Sequence, residues 1–210
     1  MSEYAQRRRP LLPSETPQSL LALAQAGYAP STRPLANAHI HIPPNFSAFE
    51  TVQQAVQLME AQGIGVAGTS NYYDFSVYQE FSEHAYTAKV FPLFGLEIIT
   101  FSEELATAGI KVNDPGNPGK FYVCGKGITL FDPLTPEAEA LLAVIRGNDS
   151  TRMAAMTEKL AEVFRTAGLD TGLDAEAIKQ RVVRRHGCPL ETVYLQERHI
   201  AQAFQEVLFE

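Results

Sequence analysis

Two histidines one residue apart, His39 and His41, sit on the short apolar run Asn37-Ala38-His39-Ile40-His41. If the run is a strand, Asn37, His39 and His41 share one face and Ala38, Ile40 and Ile42 the other. Two imidazoles set side by side can grip a cation or a phosphate, although such a pair taken alone is more often structural histidine. Glu97 is the second group of interest, because it is the only carboxylate in the run Phe91-Pro-Leu-Phe-Gly-Leu-Glu-Ile-Ile99. A carboxylate in such surroundings needs a cation, an ion pair or a proton, and beside a His-x-His strand a shared metal is the favoured reading. His199 stands at the edge of a late helix, where by itself it reads as an ordinary border histidine. Asn71 and Asp74 follow the second expected strand, and Lys120 and Lys126 flank the fourth. All four are candidate substrate contacts, the lysines because they could meet an anionic ligand, although a solvated lysine is the commoner outcome. No Walker pattern accompanies the lysines.

The elements that must position these groups alternate. The His-x-His strand is followed by a turn at Pro43-Pro44-Asn45 and a helix over 48–62, capped by Ser47, with Val52, Ala55, Val56 and Met59 on its apolar face. Gly63 ends that helix. A buried strand over 64–70, a helix over 76–88 and a third strand over 91–100 complete two βαβ units, which favour a parallel sheet in an α/β architecture. A short helix over 102–108, a breaker-rich loop and a fourth strand over 121–124 follow. From Thr135 the pattern turns helical, over 136–145, 151–167, 175–186 and 191–208, with Gly147, Gly168 and Gly187 marking breaks. Residues 1–35, punctuated by prolines and carrying one helical stretch over 18–26, read as an N-terminal arm. The division expected is therefore an arm (1–35), an α/β portion (36–134), a helical insertion (135–190) and a helix returning to the α/β portion (191–210).

Composition bounds the function. A chain of 210 residues with 45% hydrophobic residues supports one sizeable core with a helical appendage. A formal charge of -7 argues against nonspecific or stable nucleic-acid binding, which needs a basic surface. No apolar run reaches the roughly eighteen residues of a membrane span. Cys124 and Cys188 form no metal or disulfide motif, so a reducing, cytoplasmic setting is expected.

His39-Ile-His41, the strand from Gly63 to Asn71, Gly95-Leu-Glu97 and Gln196-Glu-Arg-His199-Ile-Ala201 together resemble the PHP (polymerase and histidinol phosphatase) family of metal-dependent phosphoesterases. The match spans 37–204 and is closest to the branch with a helical insertion. The resemblance implies a distorted (β/α)7 barrel holding divalent zinc, manganese or iron at its strand C-termini, with metal-activated water attacking a nucleotide or other small phosphate ester. It assigns His39 and His41 as the first-strand ligand pair, Glu97 as a carboxylate bridging metals, and His199 as a further ligand. The sequence departs from the family pattern at several points. No aspartate follows the histidine pair in Asn45-Phe46-Ser47, the second strand ends Thr69-Ser70-Asn71 instead of Thr-Asp-His, and Tyr122 stands near an expected histidine. The closing Asp-x-His is absent, and with the apolar ending this leads us to expect the N-terminal part of a longer protein. Two alternatives accompany the hydrolase reading: a non-catalytic PHP-like module that binds an anion or a protein, and another β/α-barrel metallohydrolase such as an amidohydrolase.

Overall fold

The structure is a computed structural model and describes residues 34–209; the expected arm and its helical stretch over 18–26 lie outside them, apart from Pro34 and Leu35. Strand β1 (Leu35–Ile40), helix α1 (Val52–Ala61), β2 (Ile64–Thr69), helix α2 (Tyr78–Thr87) and β3 (Phe91–Leu93) alternate as two βαβ units. Their strands form a parallel sheet in the order β1-β2-β3. One core fills the space between this sheet and its helices, built from Ile40, Ile42, Val56, Met59, Tyr78, Phe81 and Phe94 among others. Ile40 and Ile42 enter that core while the imidazoles point away from it, as a period-two strand requires.

Local expectations are corrected at several points. The helix after the histidines begins later than expected and is capped by Thr51, whose hydroxyl accepts from Gln54 N at 3.0 Å. Ser47 instead donates to the carbonyl of His41 at 2.7 Å, which ties down the end of the ligand strand. The expected third strand is two strands: past Phe94 the chain leaves the parallel sheet, and β4 (Gly95–Phe101) pairs antiparallel with β5 (Lys120–Lys126). A short helix α3 (Glu103–Thr107) lies between them. Gly95 makes the transfer possible, since a Cβ there would sit 2.3 Å from the Thr69 carbonyl oxygen and 2.7 Å from that of Gly125. Finally, Gly147 does not break the chain. Pro136–Thr166 is one helix of 31 residues, α4, started by Thr135 accepting from Ala138 N.

Helix α5 (Ala175–His186) is capped by Asp174 and ended by left-handed Gly187. The expected last helix is likewise two pieces, a 3-10 turn (Leu190–Thr192) and α6 (Glu197–Phe209). The second half of α4 joins α5, α6 and Val193 and Leu195 around a separate core that includes Met153, Ile178, Val182, Ile200 and Phe204. The described residues thus form a mixed α/β fold of two small sheets and a helical cluster, with no closed barrel among them. None of their helices is long and apolar enough to cross a membrane.

Candidate metal centre

The site lies where β1 and β2 end and β4 begins. Asn71 is the joint. Its fully buried side chain clasps the backbone of Ile42, with Oδ1 accepting from Ile42 N and Nδ2 donating to Ile42 O, both at 2.9 Å. Its own N–H donates to the Tyr78 hydroxyl at 3.0 Å, and its carbonyl accepts from Glu97 N at 3.1 Å. The Tyr78 hydroxyl in turn donates to Gly95 O at 2.7 Å. One buried amide and one buried phenol therefore align the histidine strand with the glutamate strand. Burial pushes the Tyr78 phenol up to about 12, so it remains a donor.

On this frame His39, His41 and Glu97 converge, each offering a ligand atom within 4.8 Å of the others. Glu97 Oε2 lies 2.9 Å from His39 Nε2 and 3.4 Å from His41 Nε2. Neither contact has hydrogen-bond geometry, which leaves Oε2 a buried oxygen without a donor. Oε1 differs: the Tyr72 hydroxyl donates to it at 2.9 Å. The Tyr72 ring stacks on His41, with centroids 5.1 Å apart and planes 10° apart, while the two imidazoles meet edge to face at 5.3 Å. Two imidazole nitrogens converging on an unsatisfied carboxylate oxygen fit a divalent cation, and the His, His, Glu set suits zinc, manganese or iron.

Charge states agree with that fit. Burial holds the His39 imidazole below its usual range, aided by Lys126 and His41 and opposed by Glu97, so it is neutral and able to donate its lone pair near pH 7. For Glu97, burial pushes upward, but the contacts with His41, Tyr72 and His39 outweigh it and keep the carboxyl ionised. Tyr72 is driven strongly upward by burial and by the Glu97 charge, and it stays a protonated donor.

The other sequence candidates are placed as follows. His199 is outside the group of three; it is buried, with its ring edge to face with Phe46 at 5.3 Å and its Nδ1 accepting from Gln196 N at 3.1 Å. Asn71, read as a possible substrate contact, is a structural joint whose amide is used in full. Asp74 accepts from the N–H of Ser76 at 2.9 Å and from its hydroxyl, holding the turn before α2. Lys120 is 3.2 Å from Asp114 and 3.6 Å from Glu197. Lys126 reaches the site, donating to Thr69 O at 3.1 Å and to the Ser70 hydroxyl.

Tyr72 and Cys124 were not picked out as site residues. Cys124 Sγ lies 3.9 Å from His39 Nδ1. The signal for Cys124 is the period of two along β5: Glu97 faces Cys124 and Gly95 faces Lys126 in the ladder, so both β5 residues share the face of the carboxylate. It becomes readable only once β4 and β5 are known to be antiparallel.

No family model matches the sequence, and no curated protein matches it. Solved structures do share the fold. An amidohydrolase from Chromobacterium violaceum, with bound sulfate and no metal, is similar at TM-score 0.56 and 15% identity over 81% of this chain and 49% of its own. A protein from Bifidobacterium adolescentis named as a metal-dependent phosphoesterase is similar at TM-score 0.60 and 15% identity over 85% of this chain and 52% of its own. The chain thus spans about half the length of each, and what it shares with both is the α/β fold.

Proposed function

We propose that the chain carries the metal centre of a PHP-type phosphoester hydrolase, with zinc, manganese or iron held by His39, His41 and Glu97 and with a small phosphorylated compound as substrate. The observation that carries this reading is the unsatisfied Glu97 Oε2 between two imidazole nitrogens. The fold shared with a protein named as a metal-dependent phosphoesterase supports it. In this reading the described strands are part of a (β/α)7 barrel, and the protein works in the cytoplasm without stable nucleic-acid binding.

A bound divalent ion supplies positive charge to a phosphoryl oxygen and makes a nearby water more acidic. The chain's own groups prepare for that. Tyr72 orients the carboxylate through Oε1, Ser47 and Asn71 fix the two ends of the His41–Ile42 step, and the buried Tyr78 keeps β4 in register with the histidines. We place His199 in a positioning role, since Gln196, whose N–H it accepts, also receives the Phe46 N–H at 2.7 Å and so fixes the segment after the ligand pair.

A second reading, a non-catalytic module that binds an anion, is favoured by one observation: the second strand ends in Ser70 and Asn71, and the Asn71 amide is used internally. One experiment separates the two readings. Protein dialysed against manganese, iron or zinc is expected to retain metal, to lose it in the His39→Ala, His41→Ala double variant, and to cleave small phosphate esters in a chelator-sensitive way. Wild-type protein that retains no metal overturns the hydrolase reading, and metal retention without turnover favours the anion-binding module.

A further inference from the structure

The surroundings of Glu97 speak to how many ions the centre holds. A carboxylate that bridges two cations gives one oxygen to each. Here only Oε2 faces the imidazoles, because Oε1 accepts the Tyr72 hydroxyl. A second ion would also need donors on the far side of the carboxylate, and among the described residues the segment that adjoins Glu97 there is the end of β2. That segment has none to give. Both polar atoms of the Asn71 side chain are bonded to Ile42, and the Ser70 hydroxyl is held by Lys126. Among the described residues, no other group of three histidine, cysteine or carboxylate side chains could hold an ion.

What stands at the end of β2 is an ammonium. Lys126 Nζ donates to Thr69 O at 3.1 Å and to Ser70 Oγ, and its stem crosses the space above Gly95, where a Cβ would lie 3.1 Å from Lys126 Cδ. Glycine at 95 therefore leaves room for the lysine to lie along β4 toward the site. An ammonium has three donors, and two are engaged, so the third can meet an anionic oxygen.

We propose that the centre binds a single divalent ion, with Glu97 as a terminal ligand, and that the Lys126 ammonium acts as the second positive charge, contacting the phosphoryl group of the substrate. This rests on the metal-centre reading above and deepens it. A fixed ammonium cannot activate water as a metal does, but it can neutralise a phosphoryl oxygen and orient it against the ion.

The test loads the chain with saturating manganese, counts bound ions after dialysis, and records the electron paramagnetic resonance spectrum. One ion per chain with an uncoupled six-line signal is expected. Titration of the manganese-loaded protein with inorganic phosphate then reads the lysine: Lys126→Gln, which keeps a hydrogen-bonding tip without the charge, should bind phosphate roughly tenfold more weakly with the ion count unchanged. Lys126→Arg should retain most of the affinity. Two or more ions, a spin-coupled spectrum, or unaltered phosphate affinity in Lys126→Gln overturns this inference and leaves the metal centre standing. Wild-type protein that binds no ion overturns both.

Discussion

Tyr72 shows what a single residue contributes to this site. It offers one hydroxyl to Glu97 Oε1 and one ring face to His41, so it orients two of the three candidate ligands without being a ligand. Outer partners of this kind commonly hold about a factor of ten or more in metal affinity. Tyr72→Phe keeps the stacking and removes the donor; it is expected to weaken manganese binding roughly tenfold, read by competition with a chelating dye. An affinity within twofold of wild type would mean that packing alone orients the carboxylate. At this scale the sequence was informative about residue types and poor about partners. The histidine pair and Glu97 were legible because each was conspicuous in its own run. The hydroxyl that completes Glu97 was not, because Tyr72 reaches it through an isolated parallel bridge that no local pattern announces. His199 illustrates the converse case, in which a motif-like helix positions the histidine against Phe46 and Gln196 and outside the group of three.

At the level of elements, apolar periodicity identified the alternation of β1, α1, β2, α2 and β3, because each segment buries one face against the same core. It could not place the break at Phe94, since apolar residues lie on both sides of it and the change of sheet is decided by tertiary contacts. The helix through Gly147 has a related cause. Glycine disfavours a helix but does not forbid one, and α4 is carried through it by Leu142 on one side and Met153 on the other. Nothing lies within 4 Å of a Cβ built at Gly147. Gly147→Ala should therefore stabilise the protein by about 0.5–1 kcal/mol, seen as a higher urea midpoint with an unchanged slope. A lower midpoint would show that the helix needs flexibility there.

For the molecule as a whole, the charge balance of the helical cluster makes stability depend on pH. Burial, with His186 and Arg185 adding to it and the Pro44 carbonyl opposing, pushes the His199 imidazole down to about 3, whereas in an unfolded chain it titrates near 6.5. Between those values the unfolded state binds the extra proton, so folding stability is fully present above about pH 6.5 and falls as the pH drops, by at most roughly 1.4 kcal/mol per unit. His186, also held low by burial, acts in the same direction. Urea midpoints at pH 7, 6 and 5 should decline in the wild type and decline less in His199→Gln; equal slopes would place the dependence elsewhere. The coarse α/β character was legible from the sequence, whereas the two separate cores emerge only from contacts between distant segments. One helix joins them. Over its roughly 46 Å, α4 holds the carbonyl of Tyr73 with two nitrogens of Arg146, at 2.9 and 2.6 Å, and buries Met153, Thr157 and Ala161 among the helices further along. Tyr73 is buried with a left-handed φ of 59°, a conformation that a tyrosine keeps only when its neighbours insist on it. Loosening of the helical cluster would release that grip, and the residue set free adjoins Tyr72. If an ion binds at His39, His41 and Glu97, its binding and the opening of α5 and α6 should be two legs of one thermodynamic cycle, so that manganese is expected to slow amide exchange in helices that hold none of the three candidate ligands, as exchange measured with and without the ion would show.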